Sequence, residues 1–207
     1  MALSDWIDRK YLGDSAVSRL RAQFSAARPF QYLDLQDFFR REVAASLVRA
    51  LASENFEPKQ SDLFSLKQTK DFAGSANPVL RAFRDFLASP EFISYMAQVT
   101  GERLKPGVVD CAGSLYEDCD FLLPHDDRLE GRSIAYIYYL SSLERKDGGS
   151  LDLYSCRSGK PVKVEKILFP KFNKLTFFRV SNISYHQVSE VVSGTPRASI
   201  TGWLHGK

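Results

Sequence analysis

The chain has 207 residues, with 28 Lys+Arg against 25 Asp+Glu for a formal net charge of +3, and 44% of its residues are hydrophobic. That length suits one domain with a core of its own. The composition excludes a disordered chain, and no apolar run is long enough for a membrane-spanning helix. The opening MALSDWIDRK lacks the apolar stretch of a signal peptide, and so mild a charge gives no argument for direct nucleic-acid binding. The expectation is a cytoplasmic protein without membrane attachment. Cys111, Cys119 and Cys156 are an odd number without metal-ligand spacing, which argues against a disulfide framework or a zinc knuckle. There are three histidines, so any histidine-based site must draw on His125, His186 and His205.

Up to about residue 105 the pattern is mostly helical. Val17, Leu20 and Phe24 share one helical face after Asp14. A stronger stripe follows at Leu35, Phe38, Phe39, Val43, Leu47 and Leu51, at spacings of three and four. The polar stretch 58–76 reads as a strand pair or a loop at the domain edge. Asn77-Pro78 is a helix start, an N-cap followed by proline at the first helical position, and Leu80, Phe83 and Leu87 continue it. Ser89-Pro90 opens another helix, carrying Ile93, Met96 and Val99, and Gly101 closes it. These stripes face a core and carry no chemistry.

From there the period changes. Short β-branched and aromatic runs at 108–116, 133–140, 150–154, 161–167, 174–178, 185–188 and 198–204 are separated by turn residues such as Asp147-Gly148-Gly149. About eight strands at this spacing predict a sandwich or jelly roll. The whole is an α+β chain with a single domain over 1–207, in which 1–105 is helical support and 106–205 is the β unit.

Chemistry concentrates in the second part. His125 and Asp127 form an H-x-D pair, and residues two apart in a strand point to one face, so imidazole and carboxylate can converge on one ion. A third ligand would complete a two-histidine, one-carboxylate triad with open positions, the donor set of non-haem Fe(II). The lack of thiolate argues against structural zinc. The third ligand is either His186, in a predicted strand, or His205, near a C-terminus expected to fray. On these residues alone a strand-end histidine beside a turn aspartate remains an open alternative. The stretch PRASITGW alternates, with Arg197, Ser199, Thr201 and Trp203 on one face and Ala198, Ile200 and Leu204 on the other. If the polar face looks inward, it lines a cavity containing an arginine that needs an anion; if outward, Arg197 is a surface charge. In 133–140, Ala135, Ile137 and Tyr139 share a face opposite Tyr136, Tyr138 and Leu140.

Taken in order, LLPHDD, RSIAYIYYLSS, GGSLDLY, NKLTFFRV, SYHQVSEV and PRASITGW resemble the 2-oxoglutarate/Fe(II)-dependent oxygenases of the prolyl-hydroxylase branch. With DLFSLKQTKDF, SPEFISYMAQVTGERL and an SLY segment nine residues ahead of HDD, they are most similar to the translation-linked prolyl hydroxylases of ribosomal proteins. The resemblance covers roughly residues 30–205. It implies a double-stranded β-helix with supporting N-terminal helices. His125, Asp127 and His186 would bind iron. Arg197 would pair with the distal carboxylate of 2-oxoglutarate, and Tyr139 would hydrogen-bond that carboxylate. Tyr116 would reach the other end of the co-substrate, while Thr201 and Trp203 match the branch's R-x-A-I-T-x-W pattern, with Ser199 in place of alanine. The implied reaction is oxidative decarboxylation of 2-oxoglutarate with O2, coupled to hydroxylation of a prolyl residue in a protein or peptide, with ascorbate supportive. Eukaryotic members of the subgroup continue into a second, metal-free domain, so the substrate does not carry over with the motifs. A free amino acid or carrier-bound small molecule is the alternative substrate, and a metal-holding, cupin-like binding module is the alternative class. Asp126 is expected to face solvent or to support the site, and Arg128 either to stand at the pocket mouth or to be a plain surface charge.

Overall fold

A computed structural model describes residues 2–207. In chain order it contains α1 (Asp14–Ala26), β1 (Tyr32–Gln36), α2 (Arg41–Leu51), β2 (Glu57–Ser61), β3 (Phe64–Gln68), α3 (Pro78–Ala88) and α4 (Pro90–Thr100). Then follow β4 (Leu104–Tyr116), β5 (Phe121–His125), β6 (Arg132–Tyr139), β7 (Leu151–Arg157), β8 (Lys160–Leu168), β9 (Lys174–Arg179), β10 (His186–Val188) and β11 (Arg197–Gly206). Every strand pairing is antiparallel, in the order β1-β9-β6-β11-β4-β3-β5-β10-β7-β8, with β2 paired to β3 beside that path. The sheet rolls up into a double-stranded β-helix. No helix among the described residues is long and apolar enough to cross a membrane.

The predicted helix starts hold. The Asn77 side chain accepts from the Val79 N–H and Ser89 from the Phe92 N–H, while Gly101 ends α4 in the left-handed conformation. The stripe through Leu35 is corrected. Leu35 lies in β1, opposite Leu175 of β9, and the helix begins only at Arg41. A turn at Asp37, with φ of 54°, separates the two. The false helical period arises because a strand face and the Phe38–Phe39 connection bury their side chains in the same core as α2. The first half is also less helical than its pattern suggests, since β1, β2 and β3 join the main sheet. The 58–76 stretch is a hairpin followed by a short 3-10 turn, and β3 is inserted between β4 and β5.

Two cores result from strand alternation. Tyr136, Tyr138 and Leu140 face the helices, where Tyr138 meets Phe39 edge-on at 4.8 Å. Ala135, Ile137 and Tyr139 face the inside of the roll with Leu151, Leu153 and Phe178. The strands are thus a wall between a helical layer and an interior.

Candidate active site

The register of β5 and β10 places His186 directly opposite His125, and their rings lie 4.2 Å apart. Each imidazole is oriented by its own strand end. The His125 Nδ1 lies 2.9 Å from the Leu123 carbonyl and the His186 Nδ1 2.9 Å from the Ser184 carbonyl. A carbonyl can only accept, so both Nδ1 atoms carry a proton, and in each ring Nε2 is the nitrogen turned toward Asp127, able to bind a metal once it gives up any proton it shares with the carboxylate. Asp127 spans the two, its carboxylate oxygens 3.4 Å from the Nε2 of His125 and of His186. All three donor atoms lie within 4.8 Å of one another.

The way Asp127 reaches the site differs from the expected strand geometry. β5 ends at His125, and Asp127 stands beyond it at φ 61°, in the left-handed region. Burial works to raise its carboxyl pKa, but hydrogen bonds and charge from both imidazoles outweigh this and hold it well below the usual carboxylate range. Burial works to lower His125, and the Asp127 carboxylate overturns that, so this imidazole lies above its ordinary value. The donor set is two neutral-capable nitrogens and one ionised oxygen, borderline and hard, which fits Fe(II).

Arg197 opens β11 with its polar face inward, and only 1% of the residue is exposed. Its Nε donates to the Gly149 carbonyl at 3.0 Å, and its terminal nitrogens lie 3.5 Å from the Ser199 and Tyr139 hydroxyls. The rings of Tyr116 and Tyr139 flank the guanidinium at 4.9 and 5.1 Å. Among the described residues no carboxylate pairs with it. A buried guanidinium without an anion is a costly arrangement, which a bidentate carboxylate ligand would relieve. Burial pushes the Tyr116 phenol up to about 12 against the lowering effect of Arg197, and it raises Tyr139 as well, so both keep their O–H. Tyr116 is the register partner of Arg197 across β4 and β11, and its ring stands beside the guanidinium.

Triad and arginine open on one cavity of about 280 Å³. Thr201 lines it, with its Oγ1 2.8 Å from the Ser114 hydroxyl, and so does Trp203, whose buried indole N–H has no partner among the described residues. The strand-pair reading of 58–76 puts its second strand at the cavity, but sequence reasoning did not single out Phe64, Leu66 and Gln68 of β3 as the wall they make. Their period-2 spacing was the available signal, hidden in a polar stretch. Arg128 is not part of the lining; it pairs with Asp126 at 2.7 Å on the outside. His205 lies in β11, which runs on to Gly206 where fraying was expected, and its Nε2 lies 3.1 Å from Asp110. Cys111, Cys119 and Cys156 are free thiols.

A double-stranded β-helix with two histidines and an aspartate at one end of its interior, and a buried arginine lining the same cavity, has the architecture of an Fe(II)-dependent oxygenase. Residues 111–205 match the family model of the 2OG-Fe(II) oxygenase superfamily, and the chain carries an oxygenase domain of prolyl-hydroxylase type. Members of the superfamily use Fe(II), 2-oxoglutarate and O2. Prolyl 3-hydroxylase OGFOD1 of Xenopus laevis is 39% identical over 182 residues, which cover 86% of this chain and 35% of that protein. Its Mus musculus counterpart is 40% identical, over 86% of this chain and 33% of its own length. The chain thus spans about a third of the length of the curated relatives it matches. Among solved structures, a Pseudomonas putida prolyl-4-hydroxylase shares the fold at a TM-score of 0.71 and 19% identity, covering 91% of this chain and 99% of that one.

Proposed function

We propose that this chain hydroxylates a prolyl residue of a protein or peptide, with Fe(II), 2-oxoglutarate and O2. The observation that carries the reading is the buried, anion-free Arg197 lining the cavity that holds the His125–Asp127–His186 cluster. The activities named for the curated relatives support the prolyl substrate.

In this reading His125, Asp127 and His186 hold the metal, with both imidazoles kept in the required tautomer by the Leu123 and Ser184 carbonyls. Arg197 receives the distal carboxylate of 2-oxoglutarate, with Tyr139 beside it as a neutral donor. Tyr116 closes over the guanidinium, and Thr201 and Trp203 shape the wall between arginine and triad. When bound, the metal supplies O2 activation coupled to oxidative decarboxylation of the co-substrate. The apolar lining from Phe64, Leu66, Ile137, Leu151 and Phe178 excludes water, so that oxidation is directed to the substrate C–H bond.

The test is incubation of the purified protein with Fe(II), 2-oxoglutarate, ascorbate and a library of proline-containing peptides. The expected result is succinate formed in step with a peptide that gains one oxygen atom on proline. Succinate formed with free amino acids and with no peptide would replace the protein substrate by a small molecule. Metal binding without any turnover would reduce the chain to a binding module.

A further inference from the structure

We infer that Arg132 is a positioning residue for the Asp127 carboxylate, a role that rests on the reading of the triad as metal ligands. Arg132 begins β6, five residues beyond Asp127. Its guanidinium carbon lies 3.3 Å from the centroid of the Trp203 ring, so the group is stacked on the indole. From there one terminal nitrogen faces the Asp127 Oδ1 at 4.0 Å, and the Nε faces the Asp110 Oδ2 at 4.0 Å. Asp110 is itself held by His205, at 3.1 Å. Trp203 and Asp110 are register partners across β11 and β4, while Trp203 and Ala135 are partners across β11 and β6. Everything that orients the guanidinium is therefore anchored in three adjacent strands.

Asp127 needs such a support. It stands outside the sheet at φ 61°, so no ladder fixes it. Its carboxylate is oriented by His125, His186 and Arg132. Once both Nε2 atoms are given to a metal, neither imidazole can donate to the carboxylate. Arg132 is then the one remaining group within ion-pair range of Asp127 among the described residues. The stacked, strand-anchored guanidinium holds the carboxylate in place for the ion. His205, which takes no part in the triad, acts at one remove by holding Asp110.

Metal affinity in the absence of co-substrate decides the matter. Wild type, Arg132→Gln, Trp203→Leu and His125→Ala are titrated with Mn(II), with free Mn(II) read by electron paramagnetic resonance, and each metal-free protein is melted. Arg132→Gln is expected to raise the Mn(II) Kd about tenfold, and Trp203→Leu, which keeps the charge but removes the platform, several-fold. A guanidinium that merely added positive charge would repel the cation, so an equal or tighter Kd in Arg132→Gln overturns the inference. An unchanged Kd in Trp203→Leu overturns it too, and that variant decides alone should Arg132→Gln not fold. Wild type binding Mn(II) no better than His125→Ala would remove the metal reading and this inference with it. Wild type binding well while Arg132→Gln is unaffected would remove only the role of Arg132.

Discussion

Arg197 illustrates a conflict between stability and binding within one side chain. It is 1% exposed, and its partners are the Gly149 carbonyl and the hydroxyls of Ser199 and Tyr139. None of them carries the compensating charge that a buried guanidinium needs. Replacing it by a flexible apolar residue of similar length, Arg197→Met, removes that burden at the cost of about 1 kcal/mol for the lost Gly149 hydrogen bond. The ligand-free variant is expected to be more stable by about 1–3 kcal/mol, while the 2-oxoglutarate requirement rises at least about a hundredfold, as loss of a charge-assisted bidentate contact implies. Mn(II) affinity should not change, because Arg197 does not touch the triad. Thermal melting and a 2-oxoglutarate titration read both halves. A lower melting point in the variant would show that Arg197 is satisfied by the protein alone.

At the scale of elements, the turn between β6 and β7 helps to hold Arg197, through the hydrogen bond that its Nε donates to the Gly149 carbonyl. Gly148 has φ of 69° and ψ of −148°, a region open in practice only to glycine. A Cβ there would lie 2.0 Å from the Glu190 carbonyl oxygen. The next residue, Gly149, takes a hydrogen bond from Arg197 through its own carbonyl. Gly148→Ala is therefore expected to cost about 2–4 kcal/mol and to weaken 2-oxoglutarate binding by moving that carbonyl, with Mn(II) affinity retained. Equilibrium unfolding together with a co-substrate titration checks this, and an unaffected co-substrate affinity would separate the turn from the site. This turn was legible in the sequence as Asp147-Gly148-Gly149, as were the Asn77 and Ser89 caps and the alternation of β11, because each is a local signal of residue type and period. The alternation alone left the inward direction of Arg197 undecided, since Ile200 and Leu204 on the other face are buried as well, at 0% and 1% exposure. What could not be read locally was pairing. The β3 stretch reads equally as a strand pair or a loop until it is placed between β4 and β5, and Asp127 reaches the site by a left-handed turn where strand geometry was expected. The Leu35–Leu51 stripe misled for the same reason: a strand, a turn and a helix packed into one core imitate one period.

For the whole molecule, the wall of β6, β9 and β11 separates two tasks. Its outer face, with Tyr136, Tyr138 and Phe177, is packed by α1, α2, α3 and α4, and its inner face carries Tyr139, Phe178 and Arg197 toward the cavity. Phe83 of α3 is fully buried at the centre of the outer layer, with Phe39 at 5.2 Å, Tyr138 at 6.0 Å and Trp6 at 6.1 Å. Truncating it leaves a cavity among aromatic rings that collapse poorly, so Phe83→Ala is expected to cost about 3–5 kcal/mol. Tyr138 and Tyr139 are neighbours in sequence but point to opposite sides of the strand, so this loss has no direct route to the site while the strand keeps its register. Mn(II) and 2-oxoglutarate affinities, measured well below the lowered melting point, are expected to match wild type. A parallel loss of metal affinity would mean that the helical layer sets the β5–β10 register that brings His125 opposite His186, and that the supporting half of the chain takes part in building the site.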